Sequence, residues 1–327
     1  MEELIEKPFK TYHQQIRILR KRNITINDGS KAMNILITAG YYNVINGYKT
    51  PFLDKAKSSI QGEDFYKDGT TIEQIYSLYL FDRNLRNILL KYMLISETVI
   101  KTKMSYHFSD KYRQNFSYLD INNFNSTNPD KVTKLIYKIS YVINNNSKPS
   151  SQGDQIYHYL NKYKNLPLWV LVNKMTMGEA FHFFFNLNPD MQNAILEELI
   201  KYYNKEYSQE IEIGNTERQC FQEMLDFMNF VRNICAHDER LYNIFFKKGK
   251  RTPNVVHFHV SDIIFKSRLF DCIIILKIFL FKKDFKEMVS KISKEVQALQ
   301  KLIPPTIYNQ ILIDMGFSKS WTEDLSV

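Results

Sequence analysis

A long helical pattern in the first half of the chain is the feature that most restricts its fold. Over residues 72–108, apolar side chains recur every three or four positions, the spacing that places them on one face of an α-helix. We expect this helix to be the spine of a helical bundle. Its apolar face consists of Ile75, Leu78, Phe81, Leu85, Leu89, Met93 and Ile100.

The rest of the chain follows the same period, and strand-like alternation is scarce. Only ten glycines and nine prolines occur in 327 residues, so few positions interrupt a helix. We therefore expect an all-α fold, with a helical region at 1–68, the main helical domain at 69–302 and a tail at 303–327. The pattern predicts further helices over 11–22, 30–39, 131–144, 168–185, 189–203, 216–237, 260–281 and 284–302, and loops over 46–70, 117–130 and 144–154.

The composition indicates a cytoplasmic protein and favours a nucleic-acid partner only weakly. The formal net charge of +9 allows binding to a polyanion, but 35 acidic residues offset the 44 basic ones. Three widely spaced cysteines fit neither a disulfide framework nor a zinc site. The first nine residues lack the apolar core of a signal peptide, and the apolar run at 272–281 is too short to cross a bilayer. We expect no membrane anchor.

The hexapeptide RNICAH at residues 232–237 is the strongest candidate for chemistry. It places Arg232 and His237 at the end of an amphipathic helix. A histidine can transfer a proton near neutral pH, and an arginine can bind a phosphate and stabilise the charge that develops during attack on a phosphodiester. A metal-free ribonuclease requires such a pair. The spacing alone is expected about once by chance in this chain, so the context must decide.

Helix geometry restricts how this pair can act. Residues five apart on an ideal helix point about 140° away from each other, so Arg232 and His237 cannot lie side by side on an unbroken helix. Either the helix ends or distorts near Ala236, or two copies of the motif face each other. The nearest internal copy, from Lys101 to His107, has lysine in place of the arginine. A homodimer is therefore the predicted source of a second copy.

The predicted reaction is a transesterification that cleaves RNA without a metal or cofactor. The ribose 2′-hydroxyl attacks the adjacent phosphorus and the 5′-oxygen leaves. His237 acts as general base or acid, Arg232 neutralises the phosphate oxygens, and Asn233 orients the phosphate or the imidazole. The structural interpretation of the same residues is that Arg232 and His237 brace the C-terminus of a helix, where cations are favoured.

Other residues are candidates for a surrounding cleft or for binding RNA. Glu97 and Lys101 lie one turn apart on the long helix, a spacing that favours an ion pair and makes both candidates for the cleft. The sequence contains no glycine-rich phosphate loop, HExxH motif or Cys-x-x-Cys pair. The basic residues predicted to guide RNA are Arg17, Arg20, Lys247, Lys248, Lys250 and Arg251.

The hexapeptide continues as RNICAHDERLYN over residues 232–243. This stretch resembles the signature of the Abi-like family of abortive-infection proteins (AbiD/AbiF type), members of the HEPN superfamily. Asparagine after the arginine and alanine before the histidine lower the chance expectation about a hundredfold. Further segments that resemble the family are Lys7-Pro8, Gly40-Tyr41-Tyr42, Asn46-Gly47-Tyr48, Phe81-Asp82, Leu85-Arg86, Pro167-x-Trp169 and Met177-Gly178.

The resemblance implies an all-helical HEPN-like bundle with an Arg-x4-His ribonuclease motif, in which Arg232 and His237 are catalytic and Asn233 lies beside them. It also implies a role in bacterial defence against phage or as the toxin of a toxin–antitoxin pair. RNA would be the substrate, and some relatives are associated with a small structured non-coding RNA. The chain departs from the family at Lys101, where arginine is usual, and at Asn173, where an acidic residue is common.

The predicted function is therefore a metal-independent endoribonuclease of anti-phage defence. The alternative is a non-catalytic RNA-binding protein that holds a small structured RNA and acts through a partner. The two differ in chemistry, because only the first breaks a phosphodiester bond.

Overall fold

A computed structural model describes residues 8–149, 155–246 and 267–325, and within these ranges the chain is helical without a β-strand. The predicted all-α class is confirmed. In chain order the α-helices of the described ranges are α1 (Tyr12–Lys21), α2 (Gly29–Ala39), α3 (Lys55–Gln61), α4 (Ile72–Lys111), α5 (Pro129–Asn145), α6 (Gln155–Tyr163), α7 (Leu168–Leu171), α8 (Met177–Phe185), α9 (Pro189–Tyr207), α10 (Asn215–Ala236), α11 (Leu269–Phe279), α12 (Lys282–Gln300), α13 (Pro305–Met315) and α14 (Trp321–Asp324).

Helix α4 is the spine on which the other helices pack. It begins with a capping box, in which Thr71 and Gln74 each accept a hydrogen bond from the backbone N–H of the other. It continues for 40 residues, about 60 Å at the usual rise of an α-helix. Helices α7, α9, α10, α11 and α12 all contact it. All seven apolar residues of its predicted inner face are buried.

The N-terminal region packs against this spine and is more helical than its sequence predicts. Helices α1 and α2 pack together, and a π-helical turn (Tyr42–Asn46) contacts α4. The predicted loop at 46–70 contains a short 3-10 helix (Thr50–Phe52) and α3. Asp54 caps the start of α3, and Gly62 ends it with a φ of 68°, so local capping makes a helix where the glycines indicated a loop.

The predicted helix at 168–185 is two helices. Helix α7 ends after one turn, and α8 starts at a new capping box between Thr176 and Glu179. The intervening turn, residues 172–176, lies next to the spine helix. Helix α6 was not predicted from the sequence, and α11 was predicted over 260–281, of which residues 260–266 lie outside the described ranges.

The last residues of the chain, predicted as a tail, form α13 and α14. Ile311 and Met315 are buried, and α13 packs against the 3-10 helix of the N-terminal region. Lys277, buried in α11, donates a hydrogen bond of 2.8 Å to the carbonyl of Leu325, and its ammonium lies 4.6 Å from the centre of the Tyr207 ring.

The division of the chain into segments 1–68, 69–302 and 303–327 stays a prediction. No described helix combines the length and apolarity needed to span a membrane.

The buried lysine predicts how stability changes with pH. Burial lowers the pKa of Lys277 from 10.5 to about 8. Between these values the unfolded chain holds a proton that the folded chain has released, so the free energy of unfolding should increase as the pH rises. Replacing Lys277 by Met removes this contribution. In urea unfolding, wild type should therefore gain stability relative to Lys277→Met from pH 7 to pH 10.

The matched control is Lys283→Met, which changes an exposed lysine on the neighbouring helix α12. Its difference from wild type should not change with pH. An equally flat difference for Lys277→Met would contradict the prediction.

Candidate functional site

The hexapeptide forms the last turn of α10 and the residue that ends the helix. The helix ends at Ala236, and His237 is its C-cap, with its backbone N–H donating to the carbonyl of Asn233 at 2.9 Å. Asp238 follows in the left-handed conformation, with a φ of 57° that aspartate adopts more readily than most residues. His237 therefore leaves the helical path, as one of the two geometric alternatives predicts.

A buried carboxyl group on α4 holds the segment that follows the motif. Asp82 is fully buried and accepts hydrogen bonds from the backbone N–H groups of Leu241 at 3.0 Å and Tyr242 at 2.6 Å. The Tyr48 hydroxyl and the Arg86 guanidinium each donate to it at 2.7 Å. We call Tyr48, Asp82 and Arg86 the clasp, because they join the N-terminal region, the spine helix and the segment after α10.

Arg86 extends the clasp to the turn after the motif. Its side chain is only 2% exposed, and besides Asp82 it donates to the carboxylate of Asp238 and to the carbonyl of Glu239. A guanidinium presents its N–H groups in a fixed plane, so these acceptors are held in a fixed relation. The left-handed turn next to His237 is thereby fastened to a buried cation of the spine helix.

Burial dominates the titration of the groups around the clasp. It raises the pKa of Asp82, an effect that the four donors to this carboxyl group oppose. It also raises the pKa of Tyr48 far above the ordinary range and that of Cys235 to about 12. Cys235, although part of the hexapeptide, is therefore a neutral thiol near pH 7 and not a nucleophile.

Arg232 lies beside a buried ion pair of the spine helix. The Lys101 ammonium lies 2.5 Å from one carboxylate oxygen of Glu97 and also donates to the carbonyl of Met175 at 2.6 Å. The Nε atom of Arg232 lies 3.9 Å from the other carboxylate oxygen of Glu97. Two cations thus share one carboxylate, and the group is net positive when all three are ionised. The Arg232 side chain remains 24% exposed, so an anion in solvent can approach it.

We call Glu97, Lys101 and Arg232 the Glu97 cluster. Two of its facing side-chain atoms lack hydrogen bonds within the described part of the chain. Arg232 Nε and Glu97 Oε2 are both buried and lack a hydrogen-bond partner among the described residues. Their 3.9 Å separation exceeds a hydrogen bond, and buried polar atoms without partners are uncommon in folded proteins. One terminal nitrogen of Arg232 lies 3.5 Å from the side-chain oxygen of Asn233. The cluster therefore retains hydrogen-bonding capacity beside the motif.

Close packing of α8 on α10 brings a third element to the motif. A Cβ atom at Gly178 would lie 3.3 Å from the amide nitrogen of Asn229, one turn before Asn233 on α10. A side chain at this position would force the Asn229 side chain to shift by a few tenths of an ångström, so the two helices pack closely here. Met175, whose carbonyl binds Lys101, lies in the turn just before α8. The spine helix, the turn between α7 and α8, and α10 therefore meet at the motif.

The structure does not join Arg232 to His237 within one chain. His237 is exposed, and its imidazole makes no hydrogen bond or ion pair with any described residue. Arg232 instead contacts the spine helix through Glu97. The histidine ring is therefore available to a substrate or a second protein chain.

Comparison with protein families identifies the family of this chain. The family model described as Abi-like protein matches residues 34–243, well over half of the chain. The chain belongs to the Abi-like protein family. No curated protein and no solved structure matches it. Family membership indicates a role in abortive infection, that is, in resistance to phage. The matched range of this Abi-like protein ends at Asn243 and contains the clasp, the Glu97 cluster and the hexapeptide.

The structure brings together some of the predicted site residues of this Abi-like protein and separates others. Glu97 and Lys101 lie at Arg232 as cleft candidates, whereas Arg17 and Arg20 are exposed on α1 and make no hydrogen bond or ion pair with the motif. No group of three or more His, Cys, Asp and Glu side chains that could hold a metal occurs in the described ranges. Four predicted RNA-binding residues lie outside those ranges: Lys247, Lys248, Lys250 and Arg251.

The clasp was not among the predicted site residues, although its sequence signal was present. Asp82 and Arg86 are one helical turn apart on a helix with a clear apolar face, and both belong to segments that resemble the family. Two charged residues on that buried face indicate a paired, positioned group, since unpaired buried charges are costly. The sequence does not indicate which distant backbone groups they bind.

The clasp should contribute strongly to stability. Asp82→Asn keeps the shape of the side chain but removes the charge that pairs with the buried guanidinium of Arg86. It also leaves one carboxyl acceptor fewer for the N–H groups of Leu241 and Tyr242. We expect the free energy of unfolding to fall by about 3 kcal/mol, measured by urea unfolding.

Asp110→Asn is the matched control, because Asp110 is an exposed aspartate on the same helix that pairs with Arg113. It should cost less than about 1 kcal/mol. Equal losses in the two variants would show that the clasp is no more stabilising than a surface ion pair.

Proposed function

We propose that this Abi-like protein is a metal-independent endoribonuclease of abortive infection, built on a HEPN-like bundle, with Arg232, Asn233 and His237 at its active site. The observation that carries the proposal is the contrast at the end of α10. Arg232 lies in a net positive cluster with unused hydrogen-bonding capacity, while the exposed imidazole of His237 has no described partner. The clasp fastens the segment that follows them.

The proposed reaction forms a bond from the ribose 2′-oxygen to phosphorus and breaks the bond from phosphorus to the 5′-oxygen. His237 accepts the 2′-hydroxyl proton or donates a proton to the leaving 5′-oxygen, according to its protonation state. Arg232 stabilises the charge on the non-bridging phosphate oxygens, and the exposed Asn233 amide orients the phosphate or the imidazole. The products are a 2′,3′-cyclic phosphate and a 5′-hydroxyl.

We propose further that the active site is shared by two copies of the chain. Within one chain, Arg232 contacts the spine helix and His237 faces solvent, so neither supplies the other with a partner. A two-fold axis near the end of α10 would bring Arg232 of one copy to the partner's His237, because a two-fold interface pairs each surface with its own copy. A homodimer would thus bring a second copy of the motif to the site.

The alternative function is RNA binding without cleavage, through which the protein would hold a small structured RNA. Its support is the Glu97 carboxylate, which offsets part of the positive charge at Arg232 and so weakens the transition-state stabilisation available from one chain. In this alternative the same cluster binds a phosphate and a protein partner provides the defence output. The exposed basic residues Arg17 and Arg20 are candidates for RNA contacts in either case.

Incubation of the purified protein with total bacterial RNA in EDTA tests cleavage. The wild type should produce 2′,3′-cyclic phosphate ends, because the proposed route uses no metal. His237→Ala should lower the rate by about 10² to 10⁴, the usual contribution of one proton-transfer group. His13→Ala, which changes an exposed histidine on α1, is the control and should cleave like wild type.

RNA that stays intact with every protein sample, from both uninfected and phage-infected cells, would reject the endoribonuclease and leave the RNA-binding alternative. That alternative predicts RNA binding that weakens with rising salt concentration but yields no new ends.

Mixing two inactive variants tests the shared site. In a heterodimer of Arg232→Ala and His237→Ala, one of the two composite sites receives an intact arginine from one chain and an intact histidine from the other. After random exchange of subunits, about a quarter of the wild-type activity should return. The measurement is the cleavage rate before and after co-refolding. Failure of activity to return, with heterodimers detected by differently tagged subunits, would contradict a shared site.

A further inference from the structure

We propose that a groove beside α7 binds an unstacked nucleobase of the RNA. The groove has a volume of about 510 Å³ and lies between the last turns of α4, the loop at 112–118 and residues 165–169. This volume falls within the range of sites that hold small molecules. The proposal rests on the proposed function only in taking RNA as the ligand, and it does not require that the RNA be cleaved.

Exposed aromatic side chains line the groove. Trp169 is 55% exposed and Tyr106 is 65% exposed, and they come from α7 and α4, respectively. Large aromatic rings left in solvent within one concave surface offer faces on which bases can stack, and such stacking is the main attraction in many single-stranded RNA sites. Tyr118 also lines the groove but is buried, with its hydroxyl donating to the carbonyl of Leu166 at 2.7 Å. The groove therefore offers aromatic surface on a rigid support.

The polar groups of the groove suit a base better than a phosphate. The side-chain oxygen of Asn165 is buried and has no hydrogen-bond partner among the described residues. An amide carries both donor and acceptor groups, which matches the edge of a base. The charged residues on the lining, Arg113 and Asp110, pair with each other at 2.7 Å. Because their charges offset each other, the groove has little attraction for an isolated anion.

The groove and the Glu97 cluster both lie against α4 and against the segment formed by α7 and the turn after it. Thr102, in the groove, follows Lys101 of the cluster along α4. Trp169 lies in α7, and the turn after α7 supplies the Met175 carbonyl that binds Lys101. In the proposed arrangement, an RNA strand bound at Arg232 also places one of its bases against Trp169. The groove would select unpaired RNA, since a base within a duplex is already stacked.

The first test measures the affinity of an unstructured RNA oligonucleotide in the His237→Ala background, which keeps the RNA intact. Trp169→Ala should weaken binding about tenfold, and Trp169→Phe should restore most of the loss, because phenylalanine retains a stacking face. The dependence of affinity on salt concentration should not change, since stacking releases no counterions. Tyr137→Ala, an exposed aromatic on α5 outside the groove, is the control and should bind like the parent.

The second test uses tryptophan fluorescence with adenosine, which carries a base but no phosphate. Trp321 is only 7% exposed, so quenching by a stacked base should come from Trp169 and disappear in Trp169→Ala. Quenching by both adenosine and RNA, together with RNA that is never cut, would support the groove and reject the endoribonuclease. Two results together would overturn the groove alone. They are an RNA affinity that does not change when Trp169→Ala is added to the His237→Ala background, and normal cleavage by the Trp169→Ala single variant. Quenching by adenosine but not by RNA would also overturn it, because a free nucleoside would be the ligand.

Discussion

The hydrogen bonds to the buried Asp82 carboxyl group are the interaction on which the rest of the site depends. This group accepts from Tyr48 in the N-terminal region, from Arg86 on the same helix and from two backbone N–H groups after α10. Removing a carboxyl group from water is costly, and that cost is offset only where several donors converge. The clasp therefore specifies one relative position of three parts of the chain, because any other would leave buried groups unpaired.

The position of the motif follows from this constraint. Arg86 fastens the turn at Asp238 and Glu239, so the chain leaves α10 in a fixed direction and His237 faces solvent. Arg232, in the last turn of α10, lies beside Glu97. Glu97 is about four turns after Asp82 along α4. One rigid helix thus sets both ends of the proposed site, which is the arrangement that precise placement of reactive groups requires.

Much of the fold could be predicted from the sequence, because most of its helices are amphipathic and the period of apolar residues is a local signal. The inner face of α4 is buried as predicted. The helices that were predicted wrongly differ from the prediction because of local signals of another kind. Thr176 and Glu179 form a capping box that divides a predicted helix, and the cap at Asp54 creates α3 within a predicted loop. Capping depends on one or two side chains, which an apolar period does not register.

The sequence by itself determined most of the helices, the family and the motif with Arg232 and His237, because these depend on residue type and short spacing. Only the tertiary structure decided that Arg232 shares Glu97 with Lys101, that the carboxyl group of Asp82 holds the segment after the motif, and that His237 stays without a described partner. The contacts of Glu97 with Arg232 and of Asp82 with Leu241 and Tyr242 join residues more than a hundred positions apart. Such contacts are selected by the packing of whole helices around the spine, and no local pattern along the chain specifies them.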